Sequence, residues 1–172
     1  MKPAIVVLMG VSGSGKSVVG AALAKRLGGR FFDADGFHPA ENVAKMSAGT
    51  PLTDDDRWPW LDRLRREVVE PAVSRPVGAP ADVLACSALR KAYRDRLIGG
   101  LDRERVRLIF LEGDFGLIRA RMLARKGHFM PESLLRSQYA ALEAPDASEA
   151  MIVPIDQTPE AIVDGVFRRL GG

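Results

Sequence analysis

The 172 residues are the length of a single domain around one core, and 47% hydrophobic with 27% charged residues is the composition of an ordinary globular protein. That balance excludes disordered, collagen-like and disulfide-scaffold classes. The 25 basic and 22 acidic residues leave a net charge of +3, yet opposite charges alternate, as in Asp102-Arg103-Glu104-Arg105, so no basic stripe for nucleic acid is present.

Ile5-Val6-Val7-Leu8-Met9 is uninterrupted and rich in β-branched residues, as expected of a central strand buried on both faces. The apolar run from Ala4 to Met9 is too short for a signal-peptide core or a membrane span, and the single Cys86 cannot form an internal disulfide. Both point to a cytoplasmic protein. A glycine-rich turn follows, and Lys16 to Leu27 reads as a helix with Val18, Val19, Leu23 and Leu27 in its apolar stripe and Gly28-Gly29 as its stop.

Phe31-Phe32 leads a second strand ending at Asp33-Ala34-Asp35. The polar segment from Gly36 to Asp56 holds a short helix over roughly residues 40–47 and a turn at Gly49-Thr50-Pro51. Asp54-Asp55-Asp56 suits the first turn of a helix carrying Trp60, Leu61, Leu64, Val68 and Val69, since carboxylates complement its positive end. Pro76 to Pro80 breaks the chain, and Val83 to Cys86 forms a third strand before a helix from Arg90 to Ile98. Val106 to Leu111 is the fourth strand, followed by helices from Leu117 to Ala124 and from Glu132 to Leu142. Met151 to Ile155 is the fifth strand, and Thr158 to Leu170, with Pro159 in its first turn, is the terminal helix. Five strands alternating with helices predict an α/β three-layer sandwich on a parallel sheet.

Gly10-Val11-Ser12-Gly13-Ser14-Gly15-Lys16-Ser17 matches G-x-x-x-x-G-K-[ST] and lies between a buried strand and a helix, as the phosphate-binding mechanism requires. Such a P-loop turns backbone N–H groups inward as an anion nest, and the helix adds its positive end. The eight loop residues are therefore the candidate ATP site, with Lys16 reaching the β- and γ-phosphates and Ser17 ligating Mg²⁺. The third strand ends in Cys86-Ser87 with no carboxylate, and Asp82 stands at its wrong end. Asp33 and Asp35 stand at a strand's C-terminal end, where parallel α/β sheets bind ligands. Two apart in an extended segment, they are expected to face the same side. Asp33 is the second candidate for Mg²⁺, and Asp35 the candidate base for an acceptor hydroxyl.

Beyond the loop, Asp33-Ala34-Asp35-Gly36-Phe37-His38-Pro39, Gly49-Thr50-Pro51-Leu52-Thr53-Asp54-Asp55-Asp56-Arg57, Ala85-Cys86-Ser87-Ala88-Leu89-Arg90-Lys91 and Arg125-Lys126-Gly127-His128-Phe129 resemble gluconokinase of the small P-loop type over nearly the whole chain. The resemblance implies a fold similar to shikimate and nucleoside monophosphate kinases, ATP-dependent phosphorylation of D-gluconate at its 6-hydroxyl, and a homodimer. It also implies one P-loop kinase domain over residues 1–172, with an acceptor segment near 36–61 and a lid near 125–135. A polyol carboxylate calls for a cation and several polar groups. Arg57, Arg90, Lys91 and Arg94 are the cation candidates, Arg57 first, and Asp35, His38, Asp55 and Ser87 are the candidates for its hydroxyls. Arg125 with Lys126, and Arg121 beside them, are expected to reach the ATP phosphates from the lid, Arg125 as a catalytic cation. Two rival readings remain: a P-loop kinase of another small acceptor, shikimate or a nucleoside monophosphate, or a nucleotide switch or nucleic-acid-binding P-loop protein. No membrane partner is expected.

Overall fold

The computed structural model describes residues 2–125 and 131–172. The strand β1 (Ile5–Met9) has no exposed surface at any of its five residues and occupies the centre of the sheet. With β2 (Gly28–Asp33), β3 (Ala81–Ala85), β4 (Val106–Glu112) and β5 (Met151–Pro154) it forms a five-stranded, wholly parallel sheet in the order β2-β3-β1-β4-β5. Ile5 lies opposite Asp82 on one side and Val106 on the other.

Helix α1 (Lys16–Leu27) follows β1 and ends at Gly28, whose N–H caps the carbonyls of Ala24 and Lys25 at a φ of 73°. The expected stop is therefore present, but no turn separates it from β2, which starts at the same glycine rather than near Phe31. Close approach of the backbones explains the early start: a Cβ on Gly29 would lie 1.9 Å from the Ala81 carbonyl oxygen. The register between β2 and β3 shifts there.

After β2 the chain makes a short 3₁₀ turn (Ala34–Phe37), then α2 (Ala40–Ser47) and α3 (Asp54–Leu64). Thr53 opens α3 with a reciprocal capping box: its hydroxyl accepts the Asp56 N–H, and the Asp56 carboxylate accepts the Thr53 N–H. A π-helical turn (Arg65–Val69) leads into α4 (Glu70–Val73). The remaining helices are α5 (Lys91–Ile98), α6 (Phe115–Ala124), α7 (Glu132–Ala141) and α8 (Pro159–Arg169).

Alternation along β1 divides the core into two layers. Ile5, Val7 and Met9 join Trp60, Leu64, Tyr93 and Leu97 of α3 and α5, whereas Val6 and Leu8 join Val19 and Leu23 of α1 and Ile162 and Val166 of α8. The sandwich is thus the three-layer α/β architecture expected from the strand–helix alternation. Because β1 is flanked by β3 on one side and β4 on the other, strand order reverses at its carboxyl end, where such sheets bind ligands. At the opposite edge, buried Asp82 accepts the Arg30 N–H and pairs with the guanidinium groups of Arg30 and Arg75, a structural clasp remote from the phosphate loop. Among the described residues no helix is long and apolar enough to cross a membrane.

Candidate active site

The loop from Gly10 to Ser17 turns from the carboxyl end of β1 into α1. Gly13 and Gly15 take φ values of 80° and 93°, which L side chains rarely adopt, and a Cβ on Gly13 would also press on Met122 at 3.1 Å. Lys16 folds back inside the loop and its Nζ donates to the carbonyls of Gly10 (2.8 Å) and Val11 (2.9 Å). The N–H groups of Gly13, Gly15, Lys16 and Ser17 donate to no acceptor among the described residues. These donors, at the positive end of α1, form an anion nest. Ser14 is buried, and its hydroxyl is the one buried side-chain oxygen without a partner among the described residues. Burial lowers the Lys16 ammonium below its ordinary value, while the charges of Asp35 and Asp33 act in the opposite sense.

Asp33 and Asp35 do not form an extended pair. The strand stops at Asp33 because its Oδ1 accepts the Asp35 N–H at 3.0 Å and caps the 3₁₀ turn, so the segment is curled rather than pleated. The other oxygen, Oδ2, remains 3.5 Å from the Ser17 hydroxyl. Ser17 and Asp33 thereby offer two hard oxygen donors beside the nest. Such a partial set suits Mg²⁺, which keeps waters and phosphate oxygens as its other ligands. Among the described residues no group of three metal-binding side chains occurs. Loss of surrounding water raises the Asp35 carboxyl above its ordinary value, and the neighbouring Asp33 charge adds to this against the opposing pull of Lys16.

His38 lies flat on the Trp60 indole, with ring centres 4.1 Å apart and planes 16° from parallel. Trp60 is held in turn by its N–H donating to the Ala34 carbonyl at 2.8 Å. Asn42, almost wholly buried, donates through Nδ2 to the Asp56 carbonyl (2.9 Å) and faces His38 Nδ1 at 3.2 Å. A carbonyl only accepts, so Nδ2 is fixed as the amide nitrogen and His38 Nδ1 is the acceptor. The proton of the neutral ring then sits on Nε2. Burial lowers the His38 value, Asp35 raises it and Arg57 lowers it.

Arg57 donates to the Leu52 carbonyl at 2.6 Å, lies over the Tyr93 ring, and stands 4.0 Å from Asp54, a long contact for an ion pair. The Tyr93 hydroxyl bonds Asp54. Asp55 is exposed at the start of α3. Following β3, Ser87 accepts the Gly10 N–H through its carbonyl, which ties this turn to the phosphate loop, and Ala88 takes a φ of 44°, strained for a residue with a Cβ. Arg90 is exposed at the head of α5, and Lys91 pairs with Asp95 at 2.7 Å along the outer face of that helix. Arg94 departs from the expectation of an acceptor cation. It is buried, pairs with Glu149 at 2.6 Å, and donates to the carbonyls of Ala88 and Leu89, so it braces the strained turn. Burial pushes the Cys86 thiol up to about 12, leaving it inert as a nucleophile.

On the other flank, Arg121 donates to the Ile155 carbonyl beyond β5, and Arg119 pairs with Glu132. Arg125 is exposed at the end of α6. Lys126 and His128 lie in residues 126–130 of the expected lid, outside the described residues.

The shikimate kinase family model matches residues 12–170 of this chain. A "Probable gluconokinase" of Mus musculus is 46% identical over 188 residues, covering 98% of each chain, and the thermosensitive gluconokinase of Escherichia coli (strain K12) is 47% identical over 150 residues, covering 87% of this chain and 77% of its own. The chain belongs to the gluconokinase family. A crystal structure of a gluconokinase from Sinorhizobium meliloti 1021 aligns with a TM-score of 0.84 at 42% identity over 98% of this chain and 92% of that one. As a gluconokinase relative the chain is a kinase, and the nucleotide-binding reading of its loop follows from both the family and the geometry. Two side chains that organise this site are invisible to motif reading, Asn42 behind His38 and Gln138, which reaches Ser12 from α7, while Arg94 under the Ser87 turn was visible as a cation but not as a brace. Only Thr53-x-x-Asp56 among the local supports carried a sequence signature, the capping box.

Proposed function

We propose that this chain transfers the γ-phosphoryl group of ATP to the 6-hydroxyl of D-gluconate, giving 6-phospho-D-gluconate and ADP. The carrying observation is a phosphate nest with Asp33 and Asp35 at its edge, in a chain whose near full-length relatives are gluconokinases.

The loop from Gly10 through Val11, Ser12, Gly13, Ser14 and Gly15 to Lys16 and Ser17 holds the nucleotide phosphates. Lys16 exchanges its two carbonyl partners for phosphate oxygens and balances the charge that spreads over them in transfer. Ser17 and Asp33 hold Mg²⁺, which neutralises phosphate charge when bound. Asp35 takes the proton of the attacking hydroxyl, and its raised value makes it a better base than an ordinary carboxylate. His38 donates its Nε2 proton to a second hydroxyl, with Ser87 and Asp55 as further hydroxyl partners. Arg57 is the carboxylate partner, ahead of Arg90 and Lys91, because its planar fork is already steered by Leu52 and Tyr93. Arg121 and Arg125 approach the nucleotide from α6.

This reading treats residues 1–172 as one kinase domain with an acceptor segment near 36–61 and a lid near 125–135, acting in the cytoplasm as a homodimer. Coupled measurement of ADP release over a panel of sugar acids, shikimate and nucleoside monophosphates tests it. Gluconate is expected to raise the rate far above the ATPase rate in water, and the absence of such a rise would overturn the proposal.

A further inference from the structure

The phosphate loop is not free-standing at its outer turn. Ser12, third of the eight loop residues, has its N–H and its hydroxyl both bonded to one side chain 126 positions later: the N–H donates to Gln138 Oε1 at 2.7 Å, and the hydroxyl accepts from Gln138 Nε2 at 3.0 Å. A backbone N–H only donates, so it fixes which end of the amide is oxygen and which is nitrogen. The two bonds close a ring that sets the Ser12 peptide and side-chain rotamer together.

The bracket itself is rigidly mounted. On the same helix Leu135 is buried in the core, and Tyr139 donates its hydroxyl to the Gly113 carbonyl at 2.6 Å while meeting the Phe115 ring edge-on. Gln138 lies between these anchors. Ser12 contributes no backbone N–H to the nest while Gln138 holds it, whereas Gly13, Gly15, Lys16 and Ser17 keep theirs unpaired among the described residues.

We propose that Gln138 is a positioning residue of phosphoryl transfer, fixing the phosphate loop through Ser12 so that the neighbouring donors converge on the nucleotide. The proposal rests on the kinase reading for its effect on turnover, and on the loop geometry alone for its effect on nucleotide binding.

Gln138→Met keeps the length of the side chain and removes both hydrogen bonds, and Ser12→Ala removes one. Equilibrium binding of a non-hydrolysable ATP analogue and of ADP is measured for the wild type, each single variant and the double variant, with thermal melting alongside. Gln138→Met is expected to weaken binding of the analogue about 10-fold, the scale of two lost hydrogen bonds, and to lower kcat with gluconate. Ser12→Ala is expected to weaken binding about threefold alone and to add nothing in the Gln138→Met background, because the two residues act through each other. Nucleotide affinities within twofold of wild type in Gln138→Met, with only a lowered melting temperature, would reduce Gln138 to a packing residue and overturn the proposal. Independent, multiplying effects of the two substitutions would overturn it as well. The binding cycle uses nucleotide alone, so a wild-type protein that fails to phosphorylate gluconate sinks the proposed reaction and leaves this comparison intact.

Discussion

The two halves of the site are built by different means. The donor half is main chain: its N–H groups are aimed by glycine conformations at a strand–helix junction, and one lysine completes it. The acceptor half is side chain, with each group held by another: His38 by Asn42 and Trp60, Arg57 by Leu52 and Tyr93, the Ser87 turn by Arg94. A phosphate is much the same in every nucleotide, so a rigid backbone cradle suits it. Acceptors differ in shape, and a pocket of mutually braced side chains can be redrawn one residue at a time.

If this division is right, substitutions in the donor half abolish turnover for every acceptor, while those in the acceptor half act on turnover or acceptor affinity and spare ATP. The largest effect is expected for Lys16→Met, with kcat lowered about 10³-fold whichever acceptor is offered. Coupled ADP release reads this directly. Asp35→Asn comes next: kcat falls at least about 100-fold, and binding of the ATP analogue stays within twofold. Near-normal turnover would remove Asp35 from the role of base.

Arg57→Leu is expected to raise KM for gluconate about 10- to 100-fold, the scale of a lost charge-assisted hydrogen bond, with kcat little changed. The corresponding polyol without a carboxylate should be a poor acceptor for the wild type and for this variant alike. Equal KM values for gluconate in both proteins would move the carboxylate to another cation, Arg90 first.

The smallest effect is a titration. By NMR, His38 is expected to titrate below its ordinary 6.5, since burial disfavours the charged ring. Asp35→Asn should lower the midpoint further by removing a favourable charge, and Arg57→Leu should raise it. The linkage follows the same sign. A ring whose value is depressed in the folded state contributes stability above pH 6.5, and that contribution is lost as the pH falls through the lowered value. A midpoint unmoved by either substitution would separate His38 from both groups.

The donor half was legible because its information is contiguous. The strand Ile5–Met9, the loop and the helix Lys16–Leu27 lie in one stretch of chain, and each local preference agrees with the next. The α2 helix and the start of α3 were equally readable from their breakers and caps. The curl at Asp33 was not, because a side chain that caps its own backbone two residues on competes with the strand in a way that hydrophobic patterning does not register. Arg94 read as a free cation for a similar reason. Its partner Glu149 is 55 residues away, and only the packing of α5 against the turn before β5 removes its guanidinium from solvent. Gln138 carried no local signal at all.

The central position of β1 sets an order of opening. Amides in its five residues sit between two strands and beneath two apolar layers, so they exchange with solvent only when the whole sheet comes apart. The phosphate loop is therefore tethered to the last segment to unfold. The curl after β2 and the short α2 follow an edge strand and are held by a few bonds to α3, so their amides are expected to exchange before those of β1. In hydrogen-exchange terms, protection is expected to fall from the β1 amides that carry the nucleotide cradle to the amides of the acceptor segment.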